Sequence, residues 1–281
     1  MKLKVLAIGI VVLCVAAIVF AYMRQEPEKI VLGFPPGESA ELSVLREKFG
    51  PISDALGEAL GMECELVLST SYPAVMEALR NGTVDVSRIG ATQYVLTRDE
   101  FEMRTVAWDI MDGEDHYHAV LIGKPGLWDE PFTMDQLKGK TIAFVDPSST
   151  SGYVAPMTMI LEAGLTLDDL DSYYFSTNHW AGIETLLNGQ VDVMATGNTL
   201  LPEIDASGRA DDYVLLIESP PLVMDTWVIG PGVDPELSDR IADALLGLPP
   251  ETFEGSWIDG LSPVNPEAYE FNEAMLRAIG E

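Results

Sequence analysis

Ser69-Thr-Ser-Tyr-Pro-Ala-Val-Met-Glu-Ala-Leu-Arg-Asn-Gly-Thr-Val-Asp-Val86 reappears 107 positions later as Ser176-Thr-Asn-His-Trp-Ala-Gly-Ile-Glu-Thr-Leu-Leu-Asn-Gly-Gln-Val-Asp-Val193, without a gap and with ten identical positions. Each copy follows an apolar run, Cys64 to Leu68 or Tyr173 to Phe175, and opens on a Ser/Thr/Asn cluster suited to a helix N-cap. A helix is predicted to begin there. Val75, Met76 and Leu79 in one copy, and Ile183, Leu186 and Leu187 in the other, give each helix one apolar face. Asn81-Gly82 and Asn188-Gly189 supply the left-handed stop, and Val-Asp-Val opens the next strand. Two strands joined through a helix run parallel, so the repeat predicts two α/β lobes, each on a largely parallel sheet with helix N-termini at the carboxyl ends of its strands. Two such lobes facing each other enclose a cleft.

The 281 residues suffice for two medium domains, and the hydrophobic share of 47% with 22% charged residues is that of a globular chain. Val5 to Tyr22 carries no charge and follows Lys2 and Lys4, the pattern of a signal peptide or a short membrane anchor within residues 1–27. The protein is therefore expected outside the cytoplasm, periplasmic or on the cell surface, with residues 5–22 as a possible membrane tether. Of two cysteines, Cys14 lies in that apolar segment, which leaves Cys64 without an internal disulfide partner and reads as a small core residue. A formal net charge of -29 argues against nucleic acid or an acidic membrane surface as partner. An anion bound to so acidic a chain must be held by local dipoles and hydrogen bonds.

Thr141-Ile-Ala-Phe-Val145 reads as a buried strand running into Asp146-Pro-Ser-Ser-Thr-Ser-Gly152 and then an apolar helical run ending at Gly164. Ser149, Thr150 and Ser151 can each donate to an oxyanion, and the unsatisfied N–H groups of a first helical turn converge on the same point. A tetrahedral anion fits such a turn. His116 and His118 alternate on a strand-like stretch and share a face, which begins a zinc site but has no third ligand nearby, so hydrogen-bonding roles are expected. Pro35-Pro-Gly-Glu-Ser39 reads as a surface turn, the other reading being a place in the cleft wall. No nucleophile, base and acid set, Gly-rich phosphate loop or metal cluster stands out, so no enzyme activity and no cofactor are expected.

Asp146-Pro-Ser-Ser-Thr-Ser-Gly-Tyr-Val-Ala-Pro156 resembles the signature of the phosphate/phosphite/phosphonate group of periplasmic binding proteins of ABC importers. Tyr72-Pro-Ala-Val-Met-Glu-Ala-Leu79, the two Asn-Gly-x-Val-Asp units, Leu137-Lys-Gly-Lys140 and His179 extend the resemblance over most of the chain. It implies a type II periplasmic-binding fold, two α/β lobes closing over a ligand that a membrane permease receives. Residues 28–111 and 222–281 would form one lobe and 119–221 the other, with crossings near 112–118 and 218–224. The family's oxyanion ligands fall on Ser149, Thr150 and Ser151, with Tyr72 and His179 from the two lobes and a carboxylate at Asp225. Thr92 and Tyr94, after the first-lobe strand, are further candidates. Tyr117 matches an aromatic that the family keeps near the crossing.

Members that bind aminoalkylphosphonates carry a second acid where this chain has Leu200, and some carry an aromatic where it has Ile89. The resemblance thus implies a small ligand: phosphate, phosphite or a short alkylphosphonate. Partners would be an ABC permease and ATPase, with the chain itself monomeric. Rival readings are a lyase or dehydratase on the same two-lobed fold acting on a carboxylate, or a sensor of the same ligand.

Overall fold

A computed structural model describes residues 29–37 and 41–280. The apolar segment 5–22, Cys14, and Glu38 and Ser39 of the first turn lie outside the described residues. In chain order the elements are β1 (Lys29–Phe34), α1 (Leu42–Leu60), β2 (Glu63–Leu68), α2 (Tyr72–Arg80), β3 (Val86–Ile89), α3 (Ala91–Thr97), β4 (Arg104–Ile110), β5 (His116–Tyr117) and β6 (Ala119–Gly123). There follow β7 (Thr141–Phe144), a π-helical turn (Thr150–Val154), α4 (Ala155–Glu162), β8 (Ser172–Phe175), α5 (His179–Leu187), β9 (Val193–Gly197), α6 (Leu201–Ala206) and β10 (Val214–Glu218). The last are β11 (Leu222–Val223), β12 (Thr226–Ile229), α7 (Pro235–Leu246), β13 (Gly260–Pro263) and α8 (Glu270–Ile279).

Eleven of the thirteen strands form two large sheets, ordered β13-β4-β12-β3-β1-β2 and β10-β6-β9-β7-β8, so the molecule has two α/β lobes. In each, the repeat builds a parallel trio: β2, β1 and β3 in the first lobe, β8, β7 and β9 in the second. The two repeat helices both have nine residues and are capped alike, by Ser71 Oγ accepting from Ala74 N–H at 3.2 Å and Asn178 Oδ1 accepting from Ala181 N–H at 2.8 Å. Both end at an Asn followed by a glycine with positive φ, 73° at Gly82 and 71° at Gly189. The repeated Asp has a structural reason. Asp85 accepts from Val31 N–H on β1 at 2.8 Å, and Asp192 from Thr141 N–H on β7 at 2.9 Å, each lashing the second repeat strand to the start of its neighbour.

The expectation of largely parallel sheets holds only for these trios, and both sheets are mixed. β12 lies antiparallel between β3 and β4, and β6 antiparallel between β9 and β10. Each is the strand by which the chain enters a sheet after crossing from the other lobe. It comes in at the end where the parallel strands finish and so runs against them. The two crossings pair with each other as β5 and β11, Tyr117 opposite Leu222 and His116 opposite Val223.

Under the first sheet, Phe49, Ile52 and Leu56 of α1 pack with Ile30, Leu32, Phe34 and Trp227. Under the second, Leu121, Ile142, Phe144, Met157 and Ile160 do the same. Each such side chain taken fully from water contributes about 1.5–3 kcal/mol before conformational entropy is counted, enough to make each lobe a rigid frame for the loops at its edge. Cys64 is half-buried, and burial together with Asp54 and Asp85 pushes its thiol up to about 11, as suits a packing residue. Helix α8 packs against both α3 and α4, with Met275 and Leu276 joining Ala119, Val154, Ala155 and Leu222 in one cluster.

Candidate functional site

The turn after β7 is shaped by its own polar groups. Ser148 N–H and hydroxyl donate to Asp146 Oδ1 at 2.8 and 2.6 Å, Ser149 N–H donates to Asp146 O at 2.9 Å, and Val145 N–H donates to Gly152 O at 3.0 Å. Ser149 caps the π turn by accepting from Gly152 N–H at 3.1 Å. Only glycine fits at 152, because a Cβ there would stand 2.4 Å from Val145 Cγ2 and 2.7 Å from Ser149 Oγ. Among the described residues, the backbone N–H groups of Thr150 and Ser151 have no hydrogen-bond acceptor. They are open donors of a helix start.

Tyr72 and His179, paired by the repeat, are the first residues of α2 and α5 and both are buried. His179 Nδ1 lies 2.8 Å from Thr196 Oγ1 on β9, and its backbone N–H donates to Gly37 O at 3.0 Å. A Cβ on Gly37 would stand 3.2 Å from the Tyr72 hydroxyl. Pro35 and Gly37 therefore line the cleft, and the surface-turn reading of this segment is corrected: the turn reaches across to the second lobe and is held there by His179.

Arg88 is the charged group that the sequence reading passed over. It sits on β3, whose four residues are all buried, with its side chain 4% exposed. Its Nε contacts Asp109 Oδ2 at 2.6 Å and one terminal nitrogen contacts Asp225 Oδ2 at 2.9 Å, while its guanidinium lies 5.4 Å from the centre of the Phe49 ring. Asp109 has no exposed surface and also accepts from Trp227 Nε1 at 2.8 Å, whereas Asp225 keeps 22% of its side chain exposed. An Arg in a short strand that follows Val-Asp-Val was the available signal, since a buried guanidinium requires carboxylates opposite it.

These groups meet in one cavity of about 50 Å³. Its polar lining includes the hydroxyl run Ser148 to Ser151 with Tyr72, His179, Arg88 and Asp225, and its apolar lining includes Met111, Tyr117, Leu200 and Met224. Of the eight candidate ligand residues, Ser149, Thr150, Ser151, Tyr72, His179 and Asp225 line the cavity. Thr92 stands just behind it, its N–H donating to Thr150 Oγ1 at 3.1 Å. Tyr94 is brought elsewhere, its ring 4.7 Å from that of Tyr269 and beside Arg98. His116 and His118 have rings 6.0 Å apart, and His118 Nδ1 lies 2.7 Å from Ser219 O. Among the described residues no group of three or more His, Cys, Asp or Glu could hold a metal, and no helix is long and apolar enough to cross a membrane.

A family model described as ABC transporter, phosphonate, periplasmic substrate-binding protein matches residues 32–269. The phosphate-import protein PhnD of Mycolicibacterium smegmatis is 26% identical over 185 residues, 62% of this chain, and the match spans 57% of that relative's length. Among solved structures, PhnD1 of Prochlorococcus marinus in complex with methylphosphonate superposes with a TM-score of 0.78 at 19% identity, covering 90% of this chain and 98% of that one. A binding-protein component of an ABC phosphonate transporter of Pseudomonas aeruginosa gives 0.79 at 16% identity, covering 89% and 86%. These likenesses establish the two-lobed fold of periplasmic binding proteins.

Proposed function

Because this chain belongs to the family of phosphonate periplasmic substrate-binding proteins of ABC transporters, whose members are transporter components and not enzymes, we propose that it captures one small phosphorus oxyanion, a phosphonate, phosphite or phosphate, between its lobes. The observation that carries this reading is the cavity of about 50 Å³ lined by the Ser148 to Ser151 run, in which the N–H groups of Thr150 and Ser151 have no acceptor among the described residues. That space is several times what one water needs, suiting a tetrahedral anion with at most a short substituent. A hydrogen bond to a charged oxygen is worth about 1.5–3 kcal/mol, so a handful of donors gives micromolar or tighter binding.

In this reading Ser149, Ser151, Tyr72 and His179 donate to the ligand oxygens, and Asp225 accepts from a protonated one. Leu200, Met111 and Met224 take the substituent. Residues 28–111 with 222–281 and residues 119–221 are the moving bodies, and the crossings near 112–118 and 218–224 are the hinge. The closed form is delivered to a permease and its ATPase outside the cytoplasm, with the chain acting as a monomer and residues 5–22 directing export or tethering it. The relatives' own names span phosphate import and methylphosphonate binding, so both belong in the test. Thermal unfolding of the purified protein in phosphate, phosphite, methylphosphonate and sulfate is expected to show a concentration-dependent rise in Tm for at least one phosphorus oxyanion. A flat response to all of them would refute the reading.

A further inference from the structure

We propose that Asn272, on the last helix, is a counterweight to closure: its buried amide disfavours the ligand-free closed form, so the cleft stays open until an anion holds it shut. This rests on the capture reading above, and closure can also be measured with no ligand present. Among the described residues, Asn272 has no exposed surface, and neither its Oδ1 nor its Nδ2 has a hydrogen-bond partner. An amide that gives up water at both atoms and regains no bond is a net cost to the state that buries it.

The placement of the helix ties that cost to the lobes. Helix α8 packs against α3 of the first lobe and against α4 and the π turn of the second, so any rotation of the lobes must shift it against one of them. Polar groups fasten it to the first lobe. Arg98, at the end of α3, reaches Glu273 at 2.6 Å. Tyr269, just ahead of α8, accepts from Trp108 Nε1 at 2.8 Å and shares a hydrogen bond with Thr226 Oγ1 at 2.7 Å. Against the second lobe α8 sets Met275 and Leu276, clustered with Val154 and Ala155, while Thr158 Oγ1 stands 3.5 Å from Met275 O. Directional bonds hold their partners in place and packed apolar surfaces slide, so the contact that gives on opening is the one with the second lobe.

Asn272 stands at the changeover. Three residues before it, Tyr269 joins Trp108 and Met224 of the first lobe; three and four after it, Met275 and Leu276 join the second-lobe cluster, all on one helix face. Val95, and Tyr117 of the crossing strand β5, border both clusters. Parting the second lobe from this face admits water to the amide, which relieves the open form and leaves the cost on the closed one. Asn272 does not line the ligand cavity, so its effect is the same for every ligand: apparent affinity is intrinsic affinity scaled by the fraction of closed molecules.

Small-angle scattering of the ligand-free full chain, and titration with phosphate, methylphosphonate and sulfate, test this on wild type, Asn272→Leu and Asn272→Ala. Leucine keeps nearly the same shape without a polar atom. Ligand-free Asn272→Leu is expected to have a smaller radius of gyration than wild type. It should also bind each ligand that wild type binds about tenfold more tightly, by one common factor and through slower release. Asn272→Ala, which leaves a void, should move both quantities in the same direction by less, and it decides the matter if Asn272→Leu does not fold. A raised urea midpoint with radius and affinities unchanged would show the amide equally buried in both forms and overturn the inference, as would weaker binding. Wild type that binds no phosphorus oxyanion would refute the capture reading, and the ligand-free radii would still decide for or against the counterweight.

Discussion

Thr150 Oγ1, on the π turn of the second lobe, accepts a hydrogen bond from the backbone N–H of Thr92 at 3.1 Å and donates to Thr92 Oγ1 at 3.0 Å. Both residues are buried, so the pair is a dry contact between the lobes, made at the edge of the cavity. With His179 N–H on Gly37 O and Trp257 Nε1 on Glu203 Oε1 at 2.8 Å, it marks a closed cleft. The Thr150 hydroxyl is thus committed to closure, and its loss affects ligand affinity through the open and closed populations.

Thr92→Val keeps the shape and removes the hydroxyl that accepts from Thr150. One neutral hydrogen bond is worth about 0.5–1.5 kcal/mol, so ligand affinity is expected to drop roughly three- to tenfold, expressed as faster dissociation. Stopped-flow release of bound ligand checks it, and an unchanged off-rate would show that the pair does not govern closure.

Gly152→Ala forces a methyl group against Val145 and Ser149. Overpacking of this kind costs about 1–3 kcal/mol. Urea unfolding should show that loss, together with weaker ligand binding because Ser149 is displaced.

The Asp85 carboxyl is held above its ordinary range by burial, against the lowering effect of Val31 N–H. A group whose folded pKa is raised stabilises the fold below its unfolded pKa, and that contribution is lost as pH rises through the folded value. Asp85→Asn keeps an acceptor for Val31 and cannot ionise. Its stability relative to wild type should therefore increase as pH is raised through the carboxylate range, read from urea midpoints; a constant difference would contradict this.

Much of this architecture was legible because the repeat encodes it at several levels at once. The Ser71 and Asn178 caps, the apolar faces of α2 and α5, and the Asn-Gly stops all predict the same two helices, and the helices place Tyr72 and His179 at the cleft. What could not be read was pairing between distant segments. Nothing near β12 or β6 in sequence says which strand each will lie against, so the mixed sheets followed only from the crossings. Arg88 was passed over for the same reason, since Asp109 and Asp225 lie 21 and 137 positions away. The turn at Pro35 to Gly37 reads as surface because its partner, His179 N–H, comes from the other lobe. Tyr94 was drawn to the site by its neighbours in sequence, but on α3 it faces Tyr269.

Leu200 is buried in the cavity wall and offers an amine no counter-charge. Aminoethylphosphonate is expected to bind at least tenfold more weakly than methylphosphonate, since an ammonium buried against Leu200 is desolvated without a carboxylate at that position. Competition titration measures the ratio, and equal or tighter binding of the amine would rule out this role for Leu200.

The most direct measurement is isothermal titration of the purified protein and of its Ser149→Ala, Ser151→Ala double variant with phosphate, phosphite, methylphosphonate and sulfate. One phosphorus oxyanion should bind wild type at micromolar or tighter affinity, and the double variant should lose several kcal/mol of that binding while its unfolding remains cooperative. Silence from every phosphorus oxyanion, or equal affinity in the double variant, would contradict capture of the anion at the Ser149 to Ser151 turn.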